Sequence, residues 1–212
     1  MRGGPLFWPL FGSDRPEEKE KALLLARDAF HALQMMGGDT LLIVPGRWEK
    51  GHSYQRLYRN SLQTAKEIAA IAERYRMTVG LENVENRFLL SPREWCELID
   101  EVNSPVVRMY FDAGNVVYLN LGQPSDWLRD LGKNRICRIH VKDCVIEDKG
   151  FRRMQAAVSL GEGNVDWTDL FAAVREIGYA GWISVEISVP DHGRAEFFSK
   201  NYRALRTWLG DM

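Results

Sequence analysis

Short apolar runs rich in β-branched residues alternate along this chain with longer segments of helical periodicity, the pattern of βα units around a parallel sheet. Six units can be drawn, with strands expected at residues 5–10, 40–44, 77–83, 106–112, 136–141 and 182–187. The intervening helices carry clearer signals. Residues 16–36 place Ala22, Leu23, Ala26, Phe30 and Leu33 at helical spacing, with Asp14 as a start signal and Gly37-Gly38 as a stop. Residues 53–75 repeat the pattern with Leu57, Ile68, Ile71 and Ala72. Ser91-Pro92-Arg93-Glu94 reads as a capping box with proline in the first turn. Further helices are expected at 124–131, 167–177 and 196–209, and no linker or repeat divides the chain, so a single domain over 1–212 is expected.

Six units over 212 residues is about 35 residues each, the repeat length of a (β/α)8 barrel, which typically needs eight units and ~250 residues. Two arrangements fit: an open βα sheet, or a TIM-type barrel lacking its first two βα units. Side-chain parity bears on the choice, because successive residues of a strand point to opposite faces. One face of the last four strands is apolar: Val79 and Leu81; Val107, Met109 and Phe111; Cys137, Ile139 and Val141; Ile183, Val185 and Ile187. That face is expected under the helices. The opposite parity ends in Glu82, Asp112, His140 and Glu186, one at the C-terminal end of each of four consecutive strands, where barrel enzymes build their active sites.

Three carboxylates and one imidazole suit a single divalent ion, Mn²⁺ foremost, with Mg²⁺, Co²⁺ or Zn²⁺ also admitted. Singly, each residue has a bland reading as a helix cap, an ion-pair partner or a structural histidine. Their shared parity and position favour a metal constellation. Other residues near the same rim are candidate substrate contacts. Lys142 shares the parity of His140 and would meet a phosphate or hydroxyl, or else pair with Asp143. Arg152 and Arg153 would clamp a phosphate or form a solvated basic pair. Asn115 and Asn86 would orient ligands or cap helices, and Trp48 and His52 would wall a pocket or, for Trp48, simply pack. Arg108 and Arg138 share the inward parity, which requires buried partners.

Composition narrows the class. A formal charge of -1 gives no general attraction to nucleic acid or to an anionic membrane. The apolar stretches are strand-sized, and the proline-broken PLFWPLF near the start has the features of neither a spanning helix nor a signal peptide. Cys96, Cys137 and Cys144 form no CxxC pair and no even set, as expected for free thiols in a reducing, cytoplasmic setting.

The strings GLENVENRF, YFDAGN, RIHVKD, SLGEGNVDW and ISVEIS resemble, in that order, the xylose-isomerase-like TIM-barrel family of sugar and sugar-phosphate isomerases and epimerases. Within it, the chain is similar to the L-ribulose-5-phosphate and hexulose-6-phosphate group and to the ketose 3-epimerases. The resemblance implies one divalent metal held by Glu82, Asp112, His140 and Glu186. It also implies that Glu82 and Glu186 exchange protons with the substrate, and that Glu162 lies in the family's GEG turn. It further implies a small-molecule sugar or sugar phosphate as substrate and a homo-oligomeric assembly. Two departures are visible. Phe88 and Asn115 stand where some ketose 3-epimerases carry a second glutamate and a histidine, which shifts weight to sugar phosphates. Four histidines are too few for the tri-zinc site of the related endonuclease IV family.

The expected chemistry is proton transfer beside a carbonyl through an enediolate, giving epimerisation or aldose–ketose isomerisation. An inosose-dehydratase-like lyase would begin with the same abstraction. The reading from a different class is a catalytically silent, truncated barrel that serves as a binding or oligomerisation module.

Overall fold

The computed structural model describes residues 8–146, 158–187 and 189–210. Backbone contacts gather them into two units, Met1–Phe111 with Asn134–Cys137, and Asp112–Lys133 with Arg138–Met212.

The first unit opens with a short helix α1 (Trp8–Phe11), followed by α2 (Pro16–Met35), β1 (Thr40–Ile43), α3 (Tyr54–Tyr75), β2 (Thr78–Glu82), α4 (Pro92–Val102) and β3 (Val107–Asp112), whose last residue begins the second unit. β1 pairs with β2 and β2 with β3, each in parallel. The start of the next strand lies beside β3, and the Cys137 thiol reaches the Met109 carbonyl at 3.2 Å.

Local chemistry explains the helix boundaries. Ser53 caps α3 by accepting from the Arg56 amide, and the helix ends at Arg76 in the left-handed region (φ 55°). At α4 the Ser91 hydroxyl accepts from the Glu94 amide and Pro92 occupies the first turn, as the capping box predicts. Glu94 reaches back one residue further than expected, to the Leu90 amide at 2.8 Å. Asp14 does not cap α2; Arg15 stands at that position, and Asp14 instead takes the Asn60 side chain at 2.6 Å. The core of this unit packs Phe30 against Tyr75 and sets Tyr54 edge-on to Phe88.

The strand expected at residues 5–10 is corrected in part. Residues 5–7 lie outside the described residues, while Trp8 to Phe11 form a helical turn that buries Phe11. A run this short carries no period that separates strand from helix, and a proline near a helix start sacrifices no intrahelical hydrogen bond.

The second unit contains α5 (Ala113–Tyr118), α6 (Pro124–Leu131), most of β4 (Ile136–Val141), α7 (Trp167–Glu176), β5 (Ile183–Val185) and α8 (Arg194–Leu209). β4 and β5 run parallel, with His140 opposite Ser184 and Val141 opposite Val185. Trp167, Phe171 and Trp208 stack into an aromatic core; the Trp167 and Trp208 centroids are 4.9 Å apart.

The expected apolar face is buried along β2 and β3 and at Ile139 and Val141 of β4. It fails at β5, where Ile183 is half-buried and Val185 is 38 % exposed. β5 is also shorter than expected, three residues in place of six. Among the described residues no helix is long and apolar enough to cross a membrane.

Candidate metal centre

In the second unit, three of the four strand-end residues converge. Asp112 ends β3, His140 is the penultimate residue of β4, and Glu186 directly follows β5. Backbone pairing holds Glu186 in place, because its amide donates to the Val141 carbonyl at 2.9 Å. Asp112 is fixed by a second role as the cap of α5, its Oδ1 accepting from the Asn115 amide at 2.9 Å. Its other oxygen, Oδ2, lies 3.9 Å from His140 Nδ1, which in turn lies 3.5 Å from Glu186 Oε2. Asp112 is fully buried, whereas the Glu186 side chain keeps 34 % of its surface open to solvent.

Lys142, which shares the parity of His140, completes this cluster. It does not pair with Asp143. Its Nζ lies 2.8 Å from Asp112 Oδ2 and 2.7 Å from Glu186 Oε2. Burial pulls the ammonium's pKa down, but the two carboxylates overcome that and hold it above the usual lysine range. The close seat requires a glycine at 114, where a Cβ would stand 2.3 Å from Lys142 Cγ and 2.6 Å from its carbonyl oxygen.

Asp143 faces the other way and organises the segment that returns to α7. Its buried carboxylate accepts from the amides of Cys144, Gly161, Gly163 and Val165 and from the Trp167 indole. Gly161 and Gly163 bring their amides to this carboxylate, and a Cβ at Gly163 would lie 2.1 Å from Asp143 Oδ1, so the approach requires glycine there. Glu162 between them is exposed and pairs with Lys200 of α8. Sequence reasoning missed the buried acid that gathers the loop, because its glycine partners lie 18 and 20 residues further along the chain.

Arg138 finds its partner in the Trp182 ring, with the guanidinium carbon 5.9 Å from the ring centroid. Arg153 and Arg152 lie outside the described residues.

In the first unit, Glu82 ends β2 nearly buried, with Tyr110 as its register partner on β3. Tyr110 precedes Asp112 by two residues in the same strand, so the parity assigned from sequence holds along β2 and β3. The other candidates here are engaged locally. Trp48 donates its indole N–H to the His52 carbonyl at 3.0 Å and its amide to the Asn86 carbonyl. The Asn86 carboxamide bonds the Gly46 carbonyl and the Phe88 amide, fixing the loop after β1. Arg108 donates to the Pro105 carbonyl.

The donor chemistry of the second unit fits a divalent cation. One ligand atom from each of Asp112, His140 and Glu186 lies within 4.8 Å of the others, and two carboxylates with an imidazole form a mixed O/N set suited to Mn²⁺, Co²⁺ or Zn²⁺.

Residues 3–209 match the profile of the xylose isomerase-like TIM barrel family. The chain belongs to that family. Among its relatives, inosose dehydratase of Lacticaseibacillus casei is 27% identical over 197 residues, covering 80% of this chain and 63% of that protein. SgbU of Escherichia coli, whose name proposes an L-ribulose-5-phosphate 3-epimerase, is 26% identical over 172 residues, covering 81% of this chain and 57% of the relative. The chain thus spans little more than half to about three-fifths of these relatives' lengths. Among solved structures, the IolI protein with a bound zinc atom superposes with a TM-score of 0.81 at 19% identity, over 94% of this chain and 73% of IolI. An L-ribulose 3-epimerase structure gives a TM-score of 0.77 at 16% identity, over 95% of this chain and 72% of the other. The fold is therefore the TIM barrel type anticipated from the strand-end pattern.

Proposed function

We propose that the chain is a divalent-metal-dependent isomerase that epimerises or isomerises a small sugar or sugar phosphate by proton transfer beside a carbonyl. The observation that carries this reading is the convergence of Asp112, His140 and Glu186 at the strand ends of the second unit. Glu82, at the end of β2 with matching parity, is proposed as the fourth ligand. The family relationship and the named epimerase relative support the reaction class. A bound divalent ion would supply electrostatic stabilisation of the negative charge that develops on the substrate oxygen.

The residues supply the rest. Asp112 and His140 are held too deeply to move protons to and from bulk water easily, which suits them to fixed ligation. Glu186, partly open to solvent, is the proposed base that takes the proton from the carbon beside the carbonyl. For epimerisation, Glu82 is the proposed acid that returns a proton to the opposite face. The intermediate is the substrate's enediolate. Lys142, Asn115, Arg153, Glu162 and Trp48 are the proposed substrate contacts.

A second reading is an inosose-dehydratase-like lyase, favoured by the longer match to that enzyme. It shares the first proton abstraction and diverges by loss of water. The deciding experiment titrates metal-stripped protein with Mn²⁺ in a calorimeter, beside Asp112→Asn, and then assays ketose phosphates and a keto-cyclitol with wild type and Glu186→Gln. One site weakened in Asp112→Asn, and stereochemical exchange abolished in Glu186→Gln, are expected. Loss of water from the cyclitol would select the lyase. A folded protein with neither binding nor turnover would overturn both in favour of a silent binding module.

A further inference from the structure

We infer that Lys142 is a built-in counter-ion that holds the cation seat of the centre and must leave it when a metal ion binds. The inference rests on the metal reading above. Its ground is that the Lys142 ammonium takes the same atoms a cation would take, Asp112 Oδ2 at 2.8 Å and Glu186 Oε2 at 2.7 Å.

Electrostatics makes such an occupant necessary. A fully buried Asp112 carboxylate within a few ångströms of the Glu186 carboxylate would be costly to keep charged without a neutralising partner. Lys142 supplies it, and its side chain is only 12 % exposed. The same arrangement cannot coexist with a divalent ion on those two oxygens. An ammonium and a metal ion sharing both would be held within a few ångströms of each other in a water-poor site, where like charges repel strongly. Binding is therefore an exchange of one cation for another. The lysine tail is long and flexible enough to withdraw without moving β4, whereas Asp112 is pinned by the cap of α5 and Glu186 by its amide bond to Val141. The exchange keeps the carboxylates neutralised in both states and lowers the apparent metal affinity by the work of ejecting the ammonium.

The test compares Mn²⁺ binding by calorimetry to metal-stripped wild type, Lys142→Met and Lys142→Arg, alongside acylation of the wild-type lysines read by peptide mass spectrometry with and without Mn²⁺. Lys142→Met should bind Mn²⁺ at least about tenfold more tightly than wild type, while Lys142→Arg, which keeps a competing cation, should not gain. Lys142 should be protected from acylation in the stripped protein and become reactive at saturating Mn²⁺. Equal or weaker binding by Lys142→Met, with Lys142 protection unchanged by Mn²⁺, would overturn the inference while leaving the metal reading intact. Absence of Mn²⁺ binding in wild type and in both variants would remove the metal reading and this inference together. Should Lys142→Met fail to fold, the arginine variant and the acylation pattern decide.

Discussion

Asp143 Oδ2 accepts the indole N–H of Trp167 at 3.0 Å, joining the residue that follows Lys142 to the first residue of α7 across 24 positions of chain. The carboxylate is 2 % exposed and also takes four backbone amides. Removing it would leave several buried donors without an acceptor, each a desolvation loss that water cannot easily repair. Asp143→Ala is expected to lower unfolding free energy by about 3–5 kcal/mol, near the upper end for a single substitution. Asp143→Asn, which turns an amide donor toward other donors, should recover little of it. Urea titration followed by tryptophan fluorescence measures both. A loss under about 1 kcal/mol would show that the loop finds other acceptors.

Gly114 tests the positioning of Lys142 from the other side. In a helix such as α5, glycine to alanine ordinarily gains up to about 1 kcal/mol. Here the added methyl would meet the Lys142 carbonyl oxygen at 2.6 Å, which is backbone and cannot rotate away. Overpacking of this kind costs about 1–3 kcal/mol, so the sign should reverse. Gly114→Ala should be less stable than wild type in denaturant titration, and the displaced Lys142 should become more reactive toward acylating reagents.

The features legible in the sequence were those set by local chemistry. β4 and α6 fall at the boundaries expected, because β-branched runs and a proline-led amphipathic stretch each admit one solution. The parity of β2 and β3 could be read because one buried face forces a period of two. α5 is not among the expected helices: a strand-end aspartate reads as a ligand or as a helix cap without showing how far a helix would run, and here Asp112 caps six residues. The seat of Lys142 depends on contacts across 30 and 44 positions, and the loop gathered by Asp143 on contacts across 18 to 24, which no local pattern encodes. At β5 the alternation predicts a buried face, and the strand instead leaves Ile183 half-buried and Val185 exposed, because period two fixes which residues share a face and not how deeply that face is covered.

Cys144 is fully buried, and burial, reinforced by the nearby Asp143 and Asp112 carboxylates, pushes its thiol up to about 11. Only the thiolate alkylates. In the native protein at pH 8, iodoacetamide should label Cys144 more slowly than Cys96 or Cys137, both of which are half-buried. The folded state holds this proton more tightly than the unfolded one. The associated stability is therefore complete below the unfolded thiol value of about 8.5 and declines as pH rises from there toward 11. Peptide mass spectrometry over a pH series reads the labelling, and rapid modification of Cys144 at pH 8 would refute its burial.

The proposed metal should itself stabilise the fold, because the ligand atoms of Asp112, His140 and Glu186 meet only when the second unit is folded. A ligand that binds the native state alone adds about 2.7 kcal/mol at a hundredfold excess over its Kd. If Lys142 takes the cation seat as inferred, its ammonium keeps the site neutralised when metal is removed, so chelation should lower Tm by several degrees without unfolding the chain. Scanning calorimetry with and without a chelator should show that difference in wild type. In Asp112→Asn the metal-dependent rise should shrink toward zero, because one ligand is weakened, while the metal-free Tm should fall as Lys142 loses one of its two carboxylate partners. Equal Tm shifts in wild type and variant would place the cation elsewhere on the molecule.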